Sequence, residues 1–371
     1  MDKKEKKPIS ILYLIGLFTF SIFILSFFIG IMILVRFVIF YVIILFLIII
    51  SLYLSIFGPS KYRYKDGDWE NNTQYYHPEY DKQKWNVLLD IHSHTKASDG
   101  KLSVEENVKY HMSLGFNACV ITDHNTMKNI DEVLRIKEKF KNKFILIPGL
   151  EYSTNRIHMC FIGITDWDCK KIPNYPTDKE IKEAIDKVHE MGGVVAVCHY
   201  PWSTWPIVSR GISRMPDHPT REQIYSWGVD LIECVNWDDD NSLIDQVSVE
   251  FAKSHSNISP CCGTDMHEPF RHPLCGWTVL NAENFTEKAI IEELRNHKTD
   301  IILTEAIKYP IDHKETLWYK VVRPLMMLGE MFQDVYLWGE KPKWDVSALK
   351  AWISYFFIIF LIFELLLFFI S

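Results

Sequence analysis

Between Ile9 and Phe57 the chain carries one charged residue, Arg36. No water-soluble core absorbs so long an apolar run, and it exceeds twice the roughly 20 residues that cross a bilayer as a helix. The sequence therefore predicts a tight transmembrane hairpin of two helices over residues 1–57, with Arg36 near the turn or snorkelling from it. A secretory signal peptide would be much shorter. At the other end, residues 351–371 include AWISYFFIIFLIFELLLFFI, again about one bilayer long, read as a C-terminal transmembrane helix. Its one charge, Glu364, is expected to pack against the N-terminal hairpin rather than face lipid. Lys-rich MDKKEKKP precedes the hairpin and KYRYK follows it, so the positive-inside rule sets both on the cytoplasmic side. The expectation is a multi-pass protein of the cell membrane whose middle part faces the cytoplasm.

That middle part is acidic. With +3 in residues 1–57 and −1 in 351–371, it holds −9 against the net −7 of the whole chain. It has no basic stripe, so long nucleic acid is not an expected partner. The eight cysteines are scattered, mostly within apolar runs such as those around Cys119, Cys160, Cys198 and Cys234, with a vicinal pair at Cys261 and Cys262. Such scatter reads as reduced core thiols rather than a disulfide framework.

From Trp85 to Thr304 short β-rich runs alternate with helical stretches. The runs are VLLDI (87–91), ACVIT (118–122), FILIPG (144–149), HMCFIGI (158–164), VVAVC (194–198), VDLIEC (229–234), SPCCG (259–263), WTVL (277–280) and DIILT (300–304). Several intervening stretches open on Ser, Thr or Asn as an N-cap. This order argues for a parallel α/β fold, and a closed or nearly closed barrel suits the size. The expected division is a linker at 58–84, a catalytic domain at 85–308 and an amphipathic juxtamembrane segment at 309–350, lying on the bilayer or packed on the barrel.

Five of the apolar runs end in His or a carboxylate, where barrel strands reach their C-terminal face. The stretch DIHSHTKASDG supplies His92, His94 and Asp99; TDH supplies His124; IPGLE supplies Glu151. VVAVC is followed by His199, GTDMH brings Asp265 and His267, and His158 opens the run HMCFIGI. Alternation puts His92 and His94 on one side of their strand. Nine such groups at one rim point to a site for two or three divalent ions, since imidazole and bridging carboxylate are what a transition ion takes. A lone His beside an apolar run is more often a satisfied core residue. That reading is given to His77, His111, His189, His218, His255, His272, His297 and His313, while Asp123 is expected to orient a ligand or hold a loop.

The motifs DIHSHTKASDG, ITDHN, GLE, IHMCFIG, CHYP and GTDMH, in this order and spacing, resemble those of the PHP (polymerase and histidinol phosphatase) family over residues 85 to about 304. The resemblance implies a distorted (βα)7 TIM-like barrel, a trinuclear metal centre and phosphoester hydrolysis. It implies that His92, His94, Glu151 and Asp265 hold one ion, that Glu151, His158 and His199 hold a second, and that Asp99, His124 and His267 hold a third. The nitrogen-rich set favours Mn, Fe or Zn over Mg. A hydroxide acidified by two ions would attack phosphorus in line, with the three ions neutralising charge on the phosphoryl oxygens.

The expected substrate is a phosphorylated small molecule or short nucleotide, as a phosphomonoester or phosphodiester. Family members acting on nucleoside bisphosphates or short RNA tend to carry an inserted subdomain between the motif histidines matching His158 and His199; here about 40 residues hold little more than one helix. Instead, PWSTWPIVSRGISRMPD follows His199. Arg156, Arg210 and Arg214 are candidates to grip a phosphate, with Trp202 and Trp205 stacking on a base or sugar; the competing reading makes them loop anchors or a membrane-facing edge. Two other functions remain open: an amidohydrolase, which usually bridges its metals with a lysine that HMCFIGI lacks, and a membrane sensor or scaffold on a degenerate barrel, which would have lost ligands.

Overall fold

The computed structural model of the chain describes residues 11–59, 78–200, 215, 217–236, 243–269, 274–307, 316–333, 335–337 and 343–370. It divides into two compact units, Ser60–Thr316 with Trp338–Pro342, and a terminal unit of Met1–Pro59, Leu317–Leu337 and Lys343–Ser371.

In the larger unit all nine apolar runs form strands. They are β1 (Val87–Asp90), β2 (Ala118–Ile121), β3 (Ile145–Ser153), β4 (His158–Ile162), β5 (Val194–Val197), β6 (Leu231–Asn236), β8 (Ser259–Gly263), β9 (Leu274–Leu280) and β10 (Asp300–Ile307), with a short extra strand β7 (Leu243–Ile244). The sheet runs β10-β9-β1-β2-β3-β4-β5-β6-β7, with β8 also paired to β6. Closure is made at one end: Ser93 bridges Met266 in parallel, His94 N–H donates to the Met266 carbonyl and Asp265 N–H to the His92 carbonyl. Thr278 on β9 both accepts from and donates to the backbone of Cys262 on β8. The result is a nearly closed α/β barrel.

Alternation along each strand divides the core in two. Leu88, Cys119 and Leu146 pack with helix residues such as Val108, Ile136 and Ile185, while Leu89, Val120, Ile147, Cys160 and Ala196 form a second cluster. A strand with apolar contacts on both faces reads as a continuous hydrophobic run, as VVAV does at Val194–Val197. The helices start where their caps stand: Thr177 and Glu180 form a reciprocal capping box before Asp178–Glu190, and Thr220 with Gln223 does the same before Arg221–Ser226.

The expected parallel order holds for β1–β2–β3 and for β5–β6–β8 but not throughout. β4 is antiparallel to both β3 and β5, and β9 is antiparallel to β1 and β10. Only Thr154–Ile157 separate β3 from β4, too few residues for the crossover that parallel neighbours require. The reversal explains why His158 opens its strand: the start of an antiparallel strand lies at the rim where its parallel neighbours end.

The terminal unit corrects the hairpin. Ile11–Phe57 is one unbroken helix of 47 residues, about 70 Å long at 1.5 Å per residue. Neither proline nor an Asn, Asp or Gly-Pro turn signal interrupts this stretch, and isolated Gly16 and Gly30 leave the hydrogen-bond ladder intact. The two Lys-rich flanks thus adjoin opposite ends of one helix, and two-crossing logic no longer assigns a side to the larger unit. The last helix, Val346–Ile370, runs antiparallel to the first, with Phe360 against Phe37 and Phe40. Arg36 donates through Nε and Nη2 to both oxygens of Glu364, at 2.7 and 2.6 Å. Glu364 does pack on the N-terminal segment, as a bidentate partner of its one charge. Helix Leu317–Gln333 packs on the first helix, so closely at Gly329 that a Cβ there would clash with the Ser51 carbonyl oxygen.

Candidate metal centre

The nine rim residues converge. Glu151 stands at their middle because β3 runs on past its partner β2, carrying the carboxylate beyond the last β2 pair and into a bridge with His124. Its Oε2 lies 3.4 Å from His92 Nε2, 3.5 Å from His94 Nε2 and 2.6 Å from His124 Nδ1. Its Oε1 lies 2.7 Å from His158 Nδ1 and 3.5 Å from His199 Nε2. Asp265 Oδ1 faces His94 Nε2 at 2.9 Å and His92 Nε2 at 3.3 Å. On the outer side, Asp99 Oδ2 is 3.4 Å from His267 Nε2 and 3.7 Å from His124 Nε2. Among the described residues these atoms form overlapping clusters, with Glu151 grouped with His92 and His94 on one side and with His124 and His158 on the other, and Asp99, His124 and His267 lying further out. His94 also belongs near the outer set, stacked between His124 and His267 with ring centroids 4.3 and 4.1 Å away.

The donor set suits cations. His92 Nε2 and His94 Nε2 face each other at 3.1 Å, and His199 Nε2 and His158 Nδ1 at 3.0 Å. Both Glu151 oxygens are buried and, despite their close imidazole neighbours, neither meets a donor in hydrogen-bond geometry among the described residues. Several lone pairs aimed at common points are what a divalent ion satisfies and a single proton does not.

Burial and charge pull these groups apart. Burial lowers His94 to about 4, assisted by the charge of His267, and lowers His199 to about 3. Burial also works against charge on His267, yet the hydrogen bond to Asp99 and the field of Asp265 carry it up to about 10. At Glu151 burial favours the neutral acid, but His124, His158 and His92 outweigh it and hold the carboxyl well below the usual range. Asp265 is likewise held low against burial by His92 and His94.

The backbone is forced at two of the nine. His199 and Asp265 have φ of 32° and 51°, left-handed values that non-glycine residues take at a cost of about 1–3 kcal/mol. Neighbouring side chains over-determine the rim. Asp123 accepts from Thr95 N–H, Thr95 Oγ1, Ser98 Oγ and Asn129 Nδ2, clamping the loop that carries Asp99. It holds a loop, one of its two expected roles. Asp90 accepts from Thr264 through backbone and hydroxyl and pairs with His111 at 2.7 Å, tying β1 to the turn before Asp265.

Arg156 is engaged by protein: Nε donates to the Asp217 carbonyl at 3.1 Å, Nη1 to the Pro176 carbonyl at 3.0 Å, and Nη2 pairs with Asp178. This is the geometry of the loop-anchor alternative. Arg210, Arg214, Trp202 and Trp205 lie outside the described residues, as do His77, His272 and His313. His189 pairs with Asp230 at 2.8 Å, the ordinary satisfied histidine. Sequence reasoning passed over Glu233, a wholly buried carboxylate on β6 that faces His92 Nδ1 at 3.0 Å. Its signal was the second acid of VDLIEC, two residues after the inward Leu231 and so on the same face of the strand.

Fold and rim together define an α/β barrel whose rim carries His and carboxylate clusters compatible with metal binding. The family model of the PHP domain matches residues 90–193. The chain is 35% identical over 82 residues to the 5'-3' exoribonuclease Rnm of Salmonella typhimurium and equally to that of Escherichia coli, matching 21% of this chain. It spans 28% of the length of those curated relatives. Among solved structures, a two-domain protein from Bacteroides vulgatus containing a predicted PHP-like metal-dependent phosphoesterase aligns with a TM-score of 0.46 and 18% identity, over 68% of this chain and 70% of that one. An amidohydrolase from Chromobacterium violaceum aligns with a TM-score of 0.34 and 14% identity, over 65% and 96%.

Proposed function

We propose that this chain is a membrane-anchored, metal-dependent phosphoesterase whose centre is built from His92, His94, Asp99, His124, Glu151, His158, His199, Asp265 and His267. The observation that carries the reading is Glu151, wholly buried, with each carboxylate oxygen turned to a different set of imidazoles. By this reading Glu151 bridges two ions, His92, His94 and Asp265 complete the first, His158 and His199 the second, and Asp99, His124 and His267 hold a third. Bound there, Mn, Fe or Zn would supply charge against phosphoryl oxygens and acidity to water.

The protein's own part is positioning. His92, His94 and Glu151 are fully buried and form a fixed floor, whereas Asp99 is 56% exposed and His267 36% in their side chains. A phosphate therefore enters past Asp99 and His267 and meets the floor last. Water is excluded from the Glu151 side and admitted on the Asp99 side. Between β4 and β5 lie a short turn at Cys169–Lys171 and the helix Asp178–Glu190, which favours a small phosphoester or short nucleotide over an extended strand. The curated relatives are named exoribonucleases, so short RNA belongs among the candidates.

Membrane attachment is supported by two helices long and apolar enough to cross a bilayer, Gly16–Phe57 and Val346–Phe369. The test uses the full chain in detergent, stripped with a chelator and resupplied with Mn, Fe or Zn, on phosphorylated metabolites, nucleotides and short RNA. Turnover should vanish on stripping and return with metal. Failure of every substrate with every ion would remove the phosphoesterase reading, and release of the chain from membranes by alkaline carbonate would remove the anchor.

A further inference from the structure

Glu233 is a carboxylate with no exposure, in the barrel interior, that none of the nine-residue chemistry uses. Its Oε2 lies 3.0 Å from His92 Nδ1, and Asn236 Nδ2 donates to its other oxygen. The opposite nitrogen of the same ring, His92 Nε2, is the one aimed at Glu151, His94 and Asp265. Pairing between β6 and β8 slips between Glu233 and Val235, a bulge of the kind that re-aims side chains next to functional sites. Across from it Gly263 leaves the room: a Cβ there would stand 2.8 Å from Glu233 Cδ, Glu233 Oε2 and His92 Cβ.

We infer that Glu233 is the positioning residue of the metal centre, holding the Nδ1–H tautomer of His92 so that the Nε2 lone pair is fixed toward the ion shared with Glu151 and Asp265. The inference rests on the metal-centre reading above. Its physical basis is general: a ligating histidine whose far nitrogen donates to a carboxylate is locked in tautomer and ring angle and is a more basic ligand. His267 has a weaker version, its Nδ1 donating to the Asp265 carbonyl at 2.7 Å. Its role differs from that of a core ion pair. A core pair would alter folding alone, whereas a positioning carboxylate alters the affinity of one class of ion.

The test measures metal binding rather than turnover. Full-length wild-type, Glu233→Ala and Glu233→Gln proteins in detergent are stripped, titrated with Mn2+ by calorimetry and analysed for bound metal after desalting, with melting temperatures recorded in parallel. Glu233→Ala should lose ~10–100-fold in affinity for one class of ion, with bound metal falling by that class alone. Glu233→Gln keeps an acceptor of the same shape without the charge and should fall between. Asp230→Asn, which removes a buried acid paired to His189 away from the rim, controls for lost stability and should leave Mn2+ binding unchanged. If Glu233→Ala does not fold, Glu233→Gln decides. Wild-type affinity in the variants overturns the role of Glu233 alone; a wild-type chain that takes up no Mn2+ overturns it together with the metal-centre reading.

Discussion

The barrel rim and the terminal helices break the usual burial rule in opposite directions. His92, His94 and Glu151 are polar or ionisable and completely buried, while Phe18, Phe23 and Phe57 on the first helix are each 68% exposed. Burying such polar groups costs several kcal/mol unless they are paired, and leaving apolar surface in water costs roughly 25 cal/mol per Å2. Each departure fits a different surrounding under the proposed reading: cations for the rim, hydrocarbon for the helices. A buried polar set or an exposed apolar face says more about function than the ordinary interior, such as Val194–Val197, which reports only that the barrel is packed.

The comparison is most easily broken at the rim. Asp265→Ala or His94→Ala should cut turnover by at least ~10²–10³-fold while far-UV circular dichroism stays unchanged; retained turnover in both would make the cluster a core ornament. Proton linkage sharpens it next. His267, carried up to about 10, holds a proton at neutral pH that an ion bound as proposed would displace. Ligation needs the neutral ring, so apparent Mn2+ affinity should strengthen by about tenfold per pH unit for that one proton as pH rises towards that value, and weaken as pH falls. Calorimetric titrations at several pH values check the sign, and a flat profile would show that His267 is no ligand.

Packing beneath the rim gives a smaller effect. Gly263→Ala sets a methyl within 2.8 Å of both Glu233 and His92 and should destabilise by ~1–3 kcal/mol, read in denaturant melts, with metal affinity falling in the same variant. The helical side offers the smallest. Arg36→Ala should lower the melting temperature in detergent by a few degrees, because Glu364 loses both its donors, and the exchange Arg36→Glu with Glu364→Arg should restore it. Equal loss in the exchange variant would mean that shape rather than charge joins these helices.

Much of this was legible beforehand because strand periodicity and strand-end chemistry are local. Every apolar run became a strand within a few residues of its expected bounds, and the nine polar residues noted at the run ends stand within a few ångströms of one another. What was not legible is non-local. The direction of β4 depends on a four-residue connection and on which neighbours it pairs with, Glu233 meets His92 from 141 residues away across the barrel, and Arg156 is engaged by Pro176, Asp178 and Asp217, up to 61 residues away. The hairpin failed for the opposite reason: membrane thickness suggested a turn that no residue between Ile11 and Phe57 encodes.

By itself the sequence determined which segments avoid water, which form strands, and which polar groups stand at strand ends, since each follows from hydrophobicity and a period of two. Only the tertiary structure decided that Glu151 turns one oxygen to each of two imidazole sets, that Arg36 meets Glu364, and that Glu233 backs His92. Those meetings depend on barrel closure and helix pairing, which bring together residues far apart in the chain at distances that no periodicity specifies.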